Sequence, residues 1–156
     1  MQYSGPLLVV KDLEKFRQFY RQVLGLDVLH DYGANLVLAG GLSLQTAESW
    51  LVFIGRPAEA LGFGGLDAEL YFEEADFDGF LRKLREYPGI EYVHPPLEHR
   101  WGQRAVRFFD PDRHVVEVGE RMQAVCQRFW KQGLSVEEIA QRMDIPEADA
   151  RALLRT

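Results

Sequence analysis

The chain has 156 residues, of which 47% are hydrophobic, 12% aromatic and 27% charged, a composition that suits one compact domain or two half-size repeats and excludes disordered, collagen-like and disulfide-scaffold classes. Eighteen Lys and Arg against 24 Asp and Glu leave a net charge of -6, which argues against general binding to a phosphate backbone. A single cysteine, Cys126, excludes an internal disulfide and a thiolate cluster. With no apolar run near the ~18 residues that span a bilayer and no basic-then-apolar leader, a cytoplasmic protein without a membrane partner is expected.

In chain order, Leu7 to Val10 reads as a strand and Asp12 as an N-cap. Phe16, Phe19, Tyr20 and Val23 then recur at helical spacing, and Gly25 ends the helix. Three strand-like runs follow, Leu26 to His30, Asn35 to Ala39 and Leu42 to Thr46, with Gly40-Gly41 as a turn. Residues 47 to 66, with Trp50, Phe53, Ile54 and the Gly62 to Gly65 segment, read as a linker. The pattern then repeats at an offset of 64, the difference between Asp76 and Asp12. Leu70 to Glu73 is a strand and Asp76 a cap; Phe77, Phe80, Leu81 and Leu84 form a helical stripe, which Gly89 ends. Ile90 to His94, Arg104 to Phe109 and His114 to Val118 are strands, with Asp110-Pro111-Asp112 as a turn. The expected fold is therefore α+β, two β-α-β-β-β units that must pair to bury their sheets, followed by helices. Met122 to Lys131 is helical, Gly133 stops it, and Ser135 with Glu138 forms a capping box ahead of a helical hairpin that turns at Met143-Asp144-Ile145.

Two segments carry a resemblance. Val9-Val10-Lys11-Asp12-Leu13 through Phe19-Tyr20-Arg21-Gln22-Val23-Leu24-Gly25, together with Phe109-Asp110-Pro111-Asp112-Arg113-His114-Val115-Val116-Glu117-Val118, resemble the glyoxalase / bleomycin-resistance / extradiol dioxygenase family of the vicinal oxygen chelate superfamily. The resemblance covers residues 1 to about 120, in units of about 1–50 and 66–120, and leaves 121–156 as a tail similar to a short helix-turn-helix. It implies that the two units wrap into a half-open cup with the site on its concave face. It also implies four metal-ligand positions on the first and last strands of each unit, which fall here on Gly5, Gln45, Glu69 and Glu117.

Glycine has no ligating side chain, so Gln45, Glu69 and Glu117 are what remain, an oxygen set suited to Mn²⁺ or Mg²⁺ rather than Zn²⁺. Alternation puts Glu69, Tyr71 and Glu73 on one strand face. The two carboxylates, Glu69 and Glu117, are either an acidic pair satisfied by Tyr71, Trp101 or Arg104, or a catalytic acid and base. The expected ligand-binding side chains are Tyr71 and Glu73 of that face, Tyr92, His94, Trp101 and Arg104 from the segment 92–104, and Gln45 from the first unit. His114 reads as structural. The expected function is binding of a small organic ligand without a cofactor or typical metal centre. The alternatives are a divalent-metal-dependent lyase or dioxygenase using Gln45, Glu69 and Glu117, and a ligand-sensing regulator that uses the tail.

From Glu120 onward, Arg121, Arg128, Lys131, Arg142, Arg151 and Arg155 are matched by Glu120, Glu137, Glu138, Asp144, Glu147 and Asp149, so the net charge of this stretch is zero. Nucleic acid is therefore not an expected partner. Val125, Phe129, Trp130, Leu134, Ile139, Met143, Ile145, Leu153 and Leu154 form a stripe that needs a covering surface. With too few residues expected for an independent core, that surface would be its own cup or a second subunit, and a homodimer is expected.

Overall fold

A computed structural model of the protein describes residues 1–155; Thr156 of the expected tail lies outside them. The chain divides into two units, residues 1–67 with 110–114, and residues 68–109 with 115 onward. Each contains a four-stranded sheet. In the first, β1 (Leu7–Val10), β2 (Val28–Asp31), β3 (Asn35–Leu38) and β4 (Ser43–Thr46) take the order β1-β4-β3-β2. In the second, β5 (Glu69–Glu74), β6 (Tyr92–Glu98), β7 (Arg104–Phe109) and β8 (Val115–Glu120) take the same order, β5-β8-β7-β6. In both sheets the first and last strands pair in parallel and the others antiparallel. The expected repeat is thus present at the level of strand topology.

Helix α1 (Leu13–Leu24) starts where the Asp12 carboxylate accepts from the Glu14 and Lys15 amides, and ends at Gly25 in the left-handed region (φ 71°). Its buried face, Phe16, Phe19, Tyr20 and Val23, covers the sheet side that carries Leu36, Leu38 and Leu44. The 110–114 turn is part of this first core. Buried Asp110 accepts from the Tyr20 hydroxyl at 3.0 Å and from the His114 amide at 2.9 Å, and lies 2.8 Å from His114 Nδ1. His114 is accordingly structural. Burial, then the Asp110 charge and hydrogen bond, push the Tyr20 hydroxyl far above the usual phenol range.

The segment expected to be a linker is helical over α2 (Ala47–Ile54), capped by Thr46 and ended by Gly55. Five consecutive apolar residues, Trp50 to Ile54, in so short a helix give no periodic signal, which is why the sequence pattern does not show it. In the second unit, Asp76 caps α3 (Phe77–Glu86) through the Gly79 amide. This helix ends at Tyr87, ahead of Pro88 and short of the expected Gly89, because the residue before a proline is pushed out of the α region. Phe77, Phe80, Leu81 and Leu84 are buried, and the Phe80 and Phe108 rings lie 6.4 Å apart across the helix-covered face of the second sheet.

The tail forms three helices, α4 (Met122–Lys131), α5 (Val136–Met143) and α6 (Glu147–Arg155). Contrary to expectation they enclose a small core of their own, Val125, Cys126, Phe129, Ile139, Ala140, Met143 and Ala150. Val125, Cys126 and Phe129 of α4 form one wall, and Ile139, Ala140 and Met143 of α5 with Ala150 of α6 close it. The bundle also docks on the second sheet. Arg104 and Arg128 each present a guanidinium fork to buried Glu120, with four N–O distances of 3.0–3.3 Å, and Arg128 donates to the Gly102 carbonyl. Arg142 donates to Glu98 and to the Arg100 carbonyl.

Gly102 sits in the left-handed region (φ 86°), and a Cβ there would run into the Phe129 ring. Gly102→Ala is expected to cost about 3 kcal/mol from backbone strain plus displacement of that ring, read as a melting-temperature drop of roughly 6–12 °C. Burial raises the Glu120 carboxyl, but the two guanidinium groups outweigh it and hold it below the usual range. Its contribution is therefore complete above the unfolded glutamate pKa, about 4, and lost as the pH falls through the lower folded value. Glu120→Gln should be less stable at neutral pH and show a flatter acid limb in thermal unfolding measured against pH.

Candidate functional site

In the second sheet, register places Glu69, Tyr71 and Glu73 of β5 on the same face as Glu117 of β8 and Arg107 of β7, since Tyr71 pairs with Glu117 and Glu117 with Arg107. This face is opposite to the one that carries Phe108 and α3. Arg107 organises it. Its Nε lies 2.8 Å from Glu69 Oε2, another guanidinium nitrogen forms an ion pair with Glu117, and Nη1 lies 3.2 Å from His94 Nε2. His94 Nδ1 faces the Pro95 carbonyl at 2.8 Å. A carbonyl can only accept, so Nδ1 carries the proton and Nε2 accepts from Arg107. Glu117 is 4% exposed, which makes this partner costly to lose.

Beside this cluster, the Trp101 ring stacks on His99, with centroids 4.3 Å apart and planes within 4°. Trp101 Nε1 donates to Gln103 Oε1 at 3.2 Å, Gln103 Nε2 donates to the Tyr71 hydroxyl at 2.9 Å, and that hydroxyl donates to Glu73 at 3.1 Å. Gly119 makes this chain possible, because a Cβ there would meet Gln103 Nε2 and the Tyr71 ring. Burial, then the nearby Arg107 charge, lower the His99 pKa and favour the neutral imidazole that stacks on Trp101.

The structure brings together Glu69, Tyr71, Glu73, His94, Trp101 and Glu117 of the residues expected at the site. Arg104 is not among them. It pairs with Glu120 and with Asp78 of α3 at 2.9 Å, not with Glu69 or Glu117, because it lies three residues from Arg107 and so on the other face. Tyr92 is also displaced: it pairs with Phe108, and a bulge between Tyr92 and His94 separates it from the His94 face. Glu69 and Glu117 do not confront each other bare, since a guanidinium stands between them and offsets the repulsion that an acid–base pair would use.

In the first unit, buried Gln45 donates to Ser49 and accepts from Asn35 at 2.8 Å, so both ends of its amide are engaged. Gly5 precedes β1 with φ 128°, and a Cβ there would run into the Gly41 carbonyl. Sequence reasoning missed Arg107, Gln103 and Gly119. For Arg107 the usable signal was its register opposite Glu117; the other two show none before the fold is known.

These features place the chain in a class. Residues 3–123 match the glyoxalase-like domain family, and the protein belongs to that family, within the glyoxalase / bleomycin resistance / dioxygenase superfamily. Among solved structures it is similar to a protein of unknown function from Agrobacterium tumefaciens, at 35% identity and TM-score 0.69, over 77% of this chain and 94% of that one. A glyoxalase / bleomycin resistance protein / dioxygenase from Nocardioides is similar at 26% identity and TM-score 0.60, over 76% and 85%. A lactoylglutathione lyase from the same Agrobacterium species is similar at 25% identity and TM-score 0.58, over 75% and 91%. A search of curated proteins returned no match. Among the described residues no helix is long and apolar enough to cross a membrane.

Replacing Arg107 tests the cluster. Arg107→Ala leaves Glu117 buried without its cation and should cost about 3 kcal/mol in denaturant unfolding at neutral pH. The deficit should shrink as the pH falls, because an unpaired buried carboxyl takes up a proton more readily. Arg107→Lys, which cannot reach three partners with one ammonium, should fall in between.

Proposed function

We propose that this protein binds a small organic ligand on the open face of the second sheet, without a resident divalent metal, and acts as a homodimer. The observation that carries this reading is the Arg107 guanidinium lodged between Glu69 and Glu117, where it supplies the positive charge that the family's metal would bring. The donor set does not fit an ion. Gly5 offers no side chain, the Gln45 amide is spent on Asn35 and Ser49, and both carboxylates are held by Arg107. Among the described residues, no group of three or more His, Cys, Asp or Glu is arranged to hold a metal.

The same face argues for the kind of ligand. Glu69, Glu73 and Glu117 bring three negative charges against one from Arg107, and Trp101 and Tyr71 supply flat apolar surface with a polar edge. A planar ligand with positive charge or several N–H donors suits this arrangement, held by carboxylates and ring faces. Elemental analysis of protein purified without chelator should find no stoichiometric Zn²⁺, Ni²⁺, Fe²⁺, Mn²⁺ or Mg²⁺. Trp101 fluorescence titrated against a library of aromatic amines should yield ligands whose affinity, measured by calorimetry, falls about tenfold or more in Glu73→Gln or Trp101→Ala. One equivalent of metal that is lost in Glu117→Ala would overturn the metal-free reading and favour a lyase or dioxygenase.

A further inference from the structure

We infer that self-association seats helix α2 of one copy in a groove on the C-terminal helices of another, an inference that rests on the homodimer proposed above. Two surfaces of matching character point to it. Helix α2 packs one side on β4 and β1 but has no buried residue, and leaves Val52 75% and Phe53 72% exposed. Adjacent large apolar side chains at this exposure mark an interaction surface. Glu48 lies one turn before Val52 on the same helix face, so the apolar stripe begins with an acid. The second surface is a groove of about 360 Å³ between α4 and α6, floored by Trp130, Val136 and Leu154 and edged by Lys131, Arg151 and Arg155. A cavity of about 150 Å³ holds a benzene ring, so the groove has room for the Phe53 ring with Val52 beside it. Trp130 is 53% exposed, an unusual state for an indole unless another surface covers it.

Charge selects the occupant. The edge holds three cations and one neutralising carboxylate, Glu147, which binds Arg151 at 2.8 Å. In a protein of net charge -6 this is a local excess of positive charge, and an apolar helix led by Glu48 complements it in the helix-in-groove manner. The groove lies almost wholly beyond the family-matched residues 3–123, so it belongs to what this chain adds to the common domain. Because the two surfaces differ, the contact is heterologous and is made twice in a closed pair or once per copy in an open chain.

Light scattering and sedimentation of the intact protein over a wide concentration range test this. Self-association is expected, weakened about tenfold or more by Phe53→Asp and equally by Arg151→Glu with Arg155→Glu. Circular dichroism checks folding, and Val52→Ser with Phe53→Ser serves as a second α2 variant. Mixing the α2 variant with the groove variant should restore a one-to-one complex, since each mixed pair keeps one intact helix and one intact groove. A dimer indifferent to the groove variant, or one lost in both variants and not recovered on mixing, would overturn the contact while leaving the homodimer. A monomer at every concentration would overturn both, and a monomer that retained labelled duplex DNA through Arg151 and Arg155 would assign the groove to nucleic acid instead.

Discussion

The two-residue repeat of a β-strand puts Arg104 and Arg107, three positions apart, on opposite faces of the second sheet. Much of what distinguishes this chain follows from that parity. Arg107 points to the open face and meets Glu69, Glu117 and His94; Arg104 points to the helical face and meets Glu120 and Asp78. One strand therefore supplies the cation at the candidate site and the cation that receives the C-terminal helices. A shift of one residue in the register of β7 would turn Arg107 away from Glu117, nearly inaccessible to water, and leave Glu120 with Arg128 as its remaining cation.

Charge balance on the open face is local for the same reason. A metal site of the kind the family resemblance implies draws ligands from both β-α-β-β-β units. A guanidinium delivered from β7 to its neighbour β8 and to β5 needs the second sheet alone. In the first unit the Gln45 amide serves as an internal tie between Asn35 and Ser49. Likewise Gly5, with no side chain to offer, fits a place where the Gly41 carbonyl leaves no room for one.

Features with a periodic or capping signature were legible in the sequence. Asp12, Asp76 and Ser135 cap helices as expected, Gly25 ends α1, and all eight strands fall within a few residues of their expected positions. Interactions that depend on register were not. The Tyr92–His94 bulge moves Tyr92 off the site face, and nothing in the residues announces a bulge in that strand. Arg104 and Arg107 are equivalent candidates for the same carboxylates until the register of β7 assigns each to a face. The hydrogen-bond chain from Trp101 through Gln103 to Tyr71 joins residues 32 positions apart and requires a glycine on a third strand, a coincidence that no local pattern encodes.

The family match ends at residue 123, the second residue of α4, yet the carboxylate of Glu120 is finished by Arg128 and the Gly102 carbonyl by the same side chain. The line that separates shared from added sequence therefore does not coincide with any line along which the molecule comes apart. A chain that stopped at residue 123 would lack Arg128 and leave Arg104 as the one guanidinium on Glu120. The C-terminal helices thus solvate groups that belong to the sheet, which makes the segment beyond the family match a structural obligation of the domain itself.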